Sequence, residues 1–264
     1  MCGISGYIGK QEAGELISTM MTTQQHRGPD ASGKYFDRGF AALGHNRLAI
    51  IDLSPEANQP FQDATGRYVM VYNGEVYNYK ELRETLSNDY TFKTQSDTEV
   101  VLAAYLKYGT DCLKHFNGMF AFAIWDTQEK KLFAARDRFG VKPFYYSKTQ
   151  DGFYFASEIK GIRAVQKTTR FNEKVCAGYF AYGSYGMPDE TFFEGIHQLP
   201  GGHFLEYKDA KLQLTKWYHF EKEVYINEAP RALEAVKAHY KELLEESISL
   251  RFRADVPVGI NISG

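Results

Sequence analysis

The sequence predicts an α+β fold, with strands and helices interspersed rather than repeating as βαβ units. Two observations carry this. Four extended apolar segments, residues 119–125, 131–135, 143–147 and 153–157, follow one another with only short gaps between them. A few separate helical periodicities stand apart from them, at residues 11–25 and 100–108.

Taken in order, residues 2–8 alternate small and apolar side chains as a strand does. Leu16, Ile17, Met20 and Met21 then fall on one helical face. After the turn-forming Arg27-Gly28-Pro29-Asp30, apolar positions recur from 35 to 51. Residues 68–79 read as two strands around Asn73-Gly74, the strongest short hairpin signal. Ser96-Asp97-Thr98-Glu99 has the form of a capping box, with Ser96 as N-cap, opening a helix that Gly109 would stop. Arg136, Asp137 and Arg138 make a charged turn between strands, for which an ion pair is the default. Past Pro200-Gly201-Gly202 the pattern changes. Residues 207–223 are polar with strand-like patches. Pro230 opens an amphipathic helix whose face holds Leu233, Val236, Tyr240, Leu243, Leu244 and Ile248. Residues 258–262 read as a short buried strand. A domain boundary is placed near residue 208, within about ten residues, giving units 1–208 and 209–264.

Length and composition exclude several classes. At 264 residues the chain amounts to roughly 1.8 typical domains. The 31 basic and 33 acidic residues nearly cancel, so no basic field points to nucleic acid or anionic lipid. With 19 Tyr and 19 Phe, disorder is excluded. The longest apolar run, near 119–125, is far short of the about 20 residues that span a bilayer. The first residues, MCGISGYIGKQE, lack the basic and apolar regions of a secretory signal, so a cytoplasmic setting is expected. Three cysteines, Cys2, Cys112 and Cys176, make no disulfide framework. The seven histidines show no paired ligand spacing, so no metal site is expected. Neither phosphate-loop pattern, GxGxxG or GxxxxGK[ST], occurs.

Four features could carry chemistry. Loss of Met1 would leave Cys2 as the first residue, with a thiol of pKa near 8.5 and an α-amine of about 7.7–8.0 in one residue. Nucleophile and base are then the same residue; equally, a cysteine there opens a strand and stays inert. Asn73 and the Gly74 amide form either a hairpin turn or a pair of oxyanion donors. Asp97 sits where a helix dipole favours a carboxylate, which is explanation enough, though it could also receive an ammonium. Arg47 interrupts an apolar run, and either snorkels or grips a carboxylate.

Read together, Cys2-Gly3-Ile4, the HRGPD of 26–30, the HNRLAI of 45–50, the YNGE of 72–75, the SDTE of 96–99, the RDRFGVKPFY of 136–145, the ASEIK of 156–160 and the LPGGH of 199–203 resemble the glutamine-hydrolysing domain of glutamine-dependent asparagine synthetases. These are class II glutamine amidotransferases. Each motif is weak alone; their joint order over about 200 residues is specific. The resemblance implies an N-terminal-nucleophile hydrolase fold, a four-layer α/β/β/α sandwich of two antiparallel sheets. It also implies roles: Cys2 as nucleophile, Asn73 and Gly74 as oxyanion hole, Arg47 on the α-carboxylate of glutamine, and Asp97 with Glu75 on its α-ammonium. Leu48, Ile50 and Ile51 would line the pocket. No cofactor is implied for this domain. ATP, Mg2+ and aspartate would serve the full-length enzyme, whose ATP loop would start at Ser263 and Gly264, so that residues 209–264 would be the truncated start of a synthetase domain. L-glutamine is the expected partner, a homodimer is one expected assembly, and nucleic acid and membrane are excluded. A non-catalytic docking domain of the same fold, or a different amide acceptor, stands as the alternative.

Overall fold

The computed structural model of the protein describes residues 1–166, 170–226 and 232–260. Every strand pairing is antiparallel, and the strands form two six-stranded sheets. The first sheet contains β1 (Gly3–Ile8), β2 (Ala31–Asp37), β3 (Ala41–Arg47), β8 (Tyr145–Lys148), β9 (Phe153–Ala156) and β10 (His197–Gln198), in the order β10-β8-β9-β1-β3-β2. The second contains β4 (Phe61–Gln62), β5 (Tyr68–Val76), β6 (Gly118–Asp126), β7 (Lys131–Arg136), β11 (His203–Lys208) and β12 (Lys211–Lys216), in the order β12-β11-β7-β6-β5-β4. Helices α1 (Gly14–Thr23) and α5 (Ile159–Arg163) cover the first sheet, and α2 (Tyr79–Leu86), α3 (Asp97–Tyr108) and α4 (Cys112–His115) cover the second. The four-layer sandwich is the one expected. Helices α6 (Glu173–Tyr182), α7 (Phe220–Ile226) and α8 (Leu233–Arg251) complete the described elements.

Three apolar layers follow from the two-residue period of the strands. On β5 and β6, Val69, Val71, Ala121, Ala123 and Trp125 face the other sheet, while Met70, Tyr72, Phe120, Phe122 and Ile124 face α2 to α4. Between the sheets, the small Ala121, Ala123 and Ala134 pack beside the large Trp125, Phe144, Phe153 and Phe155; aromatics also fill the helix layer. A third cluster joins Tyr7, Ile17, Met20, Met21 and Ile162 between the first sheet and α1 and α5. No described helix is long and apolar enough to cross a membrane.

Several local expectations change. The hairpin at Asn73-Gly74 does not form: β5 runs unbroken through it, with Asn73 opposite Ala121 and Gly74 opposite Phe120 on β6. The glycine is needed for closeness, since a Cβ at Gly74 would lie 2.5 Å from the Met119 carbonyl oxygen and 2.7 Å from Phe120 Cα. The capping box forms only in half. Ser96 Oγ accepts from the Thr98 amide at 3.2 Å, but the Glu99 carboxylate takes the amides of Lys93 and Thr94 instead of Ser96.

The charged turn is not an ion-pair site. Buried Asp137 accepts the amides of Phe120, Phe139, Val141 and Lys142, and Arg136 donates to the carbonyls of Gly140, Lys142 and Leu199. Both charges serve to fold the 137–142 loop around backbone groups that otherwise have no partner.

In the tail, the apolar face of α8 is exposed along its length, Leu233, Val236, Tyr240, Leu243, Leu244 and Ile248 included. Residues 258–260 are exposed and lie in no strand, because no neighbouring strand reaches them; residues 261 and 262 lie outside the described residues. So do Pro230, Ser263 and Gly264. The segment before 258 is anchored: Arg253 donates to Glu81 and the Tyr77 carbonyl, and Asp255 accepts the Asp52 amide at 2.7 Å.

Candidate active site

At one end of the sandwich the layer between the sheets turns polar. The row Val69, Val71 on β5 continues into Asn73 and Glu75 on the same face. There it meets the start of β1 and the end of β3 around a cavity of about 230 Å³. This is below the range of drug-sized pockets, about 300–1,000 Å³, and suits a small metabolite. Cys2, Arg47, Leu48, Ile50, Ile51, Asn73, Gly74, Glu75 and Asp97 all line it. Residues separated by up to 95 positions in the chain are thus brought together.

Cys2 Sγ lies at the mouth, 3.4 Å from the Leu48 amide that donates to it and 3.6 Å from the Leu48 carbonyl. Burial pushes the thiol pKa up, and the Leu48 amide opposes the rise. The terminal amine, carried here by Met1, is pushed down by burial and by the cations Arg27 and Lys142. The thiol is thus held toward its neutral form, and the surroundings of the terminus weaken an amine's hold on its proton, although the Cys2 thiol acts the other way on it. Arg27 Nε fixes this end of the chain by donating to the Cys2 carbonyl at 2.9 Å.

The back wall offers two donors without acceptors. Asn73 Nδ2 is fully enclosed and has no partner among the described residues. The Gly74 amide follows from the ladder. In an antiparallel strand the amide and carbonyl of one residue point to the same edge, and the edge alternates along the strand. The Tyr72 amide donates to Gln59 Oε1 at 2.6 Å and the Val76 amide to Asp97 Oδ2 at 3.0 Å, so both point away from β6. Gly74, between them, points the same way. Phe120 opposite confirms this, since its amide and carbonyl are both engaged by Asp137. Strand β4 pairs only with Val69 and Met70, leaving this stretch of edge open. His45, wholly buried and with its pKa pushed down to about 4 by that burial, is neutral at ordinary pH and bonds the Tyr72 carbonyl at 3.0 Å through Nε2.

The charged walls carry opposite signs: Arg47 on one side, Asp97 and Glu75 on the other. Arg47 uses both Nη1 hydrogens on the Ser54 carbonyl and Asn58 Oδ1, each at 2.8 Å, and one Nη2 hydrogen on the Asp52 carbonyl. Nε–H and the second Nη2–H remain, the side-on pair that grips a carboxylate. Asp97 accepts from the Tyr72 hydroxyl at 2.7 Å and the Val76 amide. Burial pushes its pKa up despite these bonds, and no described cation lies within ion-pair distance of it. A bound ammonium would supply the missing charge. Glu75 is likewise raised by burial, with Lys142 opposing.

Sequence reading missed Gln59, Tyr72, Met119 and Lys142 as cavity residues. Lys142 alone carried a signal, a lysine set between Val141 and Pro143-Phe144-Tyr145 in an otherwise apolar stretch. Among the described residues no cluster of His, Cys, Asp and Glu is placed to hold a metal.

The comparisons with known proteins agree with this geometry. The model of the glutamine amidotransferase domain matches residues 1–218. A putative glutamine-hydrolysing asparagine synthetase 2 of Methanocaldococcus jannaschii is 38% identical over all of this chain and 55% of its own length. Asparagine synthetase 3 of Bacillus subtilis is 34% identical over all of this chain and 43% of its own, and an amidase, chry2, of Gibberella zeae is 35% identical over 41% of its own. The chain thus spans about half the length of such relatives. Among solved structures, the glutamine phosphoribosylpyrophosphate amidotransferase of Bacillus subtilis superposes with a TM-score of 0.63 at 21% identity, over 82% of this chain and 49% of that one, which shows the shared fold. The fold, the cysteine-headed cavity and a domain match over residues 1–218 together show that the chain belongs to the class II glutamine amidotransferase family.

Proposed function

We propose that this chain hydrolyses L-glutamine to glutamate and ammonia through a thioester on Cys2. The observation that carries this is the meeting of Cys2 Sγ with two unused donors, Asn73 Nδ2 and the Gly74 amide, in one zwitterion-sized cavity. Once Met1 is removed, the α-amine of Cys2 takes the thiol proton as sulfur attacks the side-chain amide carbon. The carbonyl oxygen becomes an oxyanion held by Asn73 and Gly74. The C–N bond breaks, the amine's proton leaves with nitrogen as ammonia, and a γ-glutamyl thioester remains. Water, deprotonated by the same amine, attacks the thioester; the C–S bond breaks and glutamate departs. Arg47 holds the α-carboxylate, and Asp97 with Glu75 the α-ammonium.

The proposal extends to domain organisation and to the whole protein. The two-unit division near residue 208 belongs to the same proposal; the family match to 218 and the pairing of β12 with β11 support a boundary toward the far side of the ten-residue margin. As the family resemblance implies, a whole protein of this kind would use ATP, Mg2+ and aspartate to consume the ammonia. A cytoplasmic setting and a homodimer belong to the same proposal.

The test is an intact mass with a glutaminase assay. A chain lacking Met1 should release equal amounts of glutamate and ammonia from L-glutamine. If it releases neither, the docking-domain alternative replaces this reading. Substitution Arg47→Ala should raise KM for glutamine by about 10- to 100-fold, the loss of a charge-assisted bidentate contact. The change in kcat should be smaller, because the clamp acts on ground and transition states alike. An effect confined to kcat would contradict the clamp.

A further inference from the structure

Lys142 has no part in the proposed reaction so far, yet it stands in the cavity wall with Cys2 and Glu75. It is 5% exposed, and among the described residues no acceptor lies within hydrogen-bond distance of its ammonium. Its Nζ is not among the fully enclosed unpartnered atoms, so the ammonium opens onto the cavity, and a largely buried cation facing a cavity is a mark of functional sites. Its backbone is also held unusually firmly. Asp137 Oδ2 accepts the Lys142 amide at 3.0 Å, and Arg136 Nε donates to its carbonyl at 2.6 Å. The whole 136–142 loop is therefore folded so as to present this one side chain to the cavity.

We propose, resting on the glutaminase reading above, that Lys142 is a positioning residue acting through the nucleophile: its buried charge keeps the Cys2 α-amine in the form able to accept the thiol proton. A cation near an amine disfavours protonation, because two like charges repel in a medium that screens poorly. The same cation favours the sulfur anion formed as the proton moves. The Met1 amine, one residue ahead of Cys2, is subject to the same influence: burial lowers its pKa most, and Arg27 and Lys142 add to the lowering. The other charged groups facing this point are Arg27 from the turn after α1, Arg47 from β3, Glu75 from β5, Asp97 from α3 and Asp137 from the same loop as Lys142. Arg27 is tied to Glu158 at 3.0 Å, which offsets its charge, and Glu75 partly offsets that of Lys142.

The experiment is the pH profile of kcat/KM for glutamine, measured on chains shown by mass to lack Met1. Its acid limb reports the amine. Lys142→Met should move that limb to higher pH by about half a unit or more, and Lys142→Arg should leave it near the wild-type position. Lys142→Gln, smaller and still polar, should move it as Met does, and serves if the methionine variant is poorly folded. Limbs that superimpose in wild type, Met and Gln variants would overturn the inference while leaving the glutaminase reading intact, as would an arginine variant shifted as far as methionine. A wild-type chain inert at every pH would overturn both.

Discussion

Replacing Cys2 by alanine is expected to remove glutamine hydrolysis to the background level, a loss of at least about 10⁴-fold in kcat, while the thermal transition moves by only a few degrees. The chemical effect is large because no other described side chain in the cavity is a thiol, and the α-amine alone has nothing to deprotonate. The structural effect is small because Sγ makes only two long contacts, both with Leu48. Loss of glutamate release followed together with the melting curve separates the two. A variant that still turns over at the wild-type rate would end the assignment of Cys2. Retained Met1 should mimic the substitution, since an amide nitrogen in place of the α-amine cannot accept a proton; activity should then scale with the fraction of chains lacking Met1 in the intact mass.

Asn73→Ala comes second in size. Removing one preorganised oxyanion donor should lower kcat by about 10²- to 10³-fold with a far smaller change in KM. Stability should fall less than in most buried polar truncations. Deleting a partnered group strands its partner, but Asn73 Nδ2 has no protein acceptor to strand, so the variant should be no less stable than about 1 kcal/mol below wild type. A donor that contributes to catalysis while unsatisfied in the free chain is the signature of a site built for its transition state. A variant that unfolds at much lower temperature, with kcat per folded molecule unchanged, would show that Asn73 is structural.

The four-layer arrangement was legible only through the resemblance; the segments themselves read as strands among helices, because both faces of β5 and β6 are buried and no polar face marks which side meets which layer. Cys2 and Arg47 were legible for their anomalous positions, a cysteine behind the initiator and an arginine in an apolar run; Asp97, an ordinary first-turn carboxylate, stood out only through the resemblance. Asn73-Gly74 was misread as a turn. Local propensity favours a hairpin there, but pairing with nine residues of β6 and burial on both faces outweigh a preference of about a kilocalorie. Gln59 and Tyr72 were not legible as site residues because each acts through contacts more than ten positions away along the chain, and Lys142 showed only as a lysine in an apolar stretch. Gln59 reaches the Tyr72 amide, and the Tyr72 hydroxyl reaches Asp97. Spacing within a motif carries no trace of such pairs.

The short reach of β4 has a further consequence. An uncovered strand edge is ordinarily a hazard, since its row of free amides invites a strand from another molecule to add on. Along β5 that row is interrupted by side chains: Gln59 occupies the amide of residue 72 and Asp97 that of residue 76. What remains is a gap one residue wide at Gly74. An incoming peptide needs a ladder of evenly spaced partners and finds only one, whereas a single oxygen atom needs no more than that. The same two side chains that line the cavity thus also occupy the edge amides on which another strand would add, and substitution of Gln59 would free one of them.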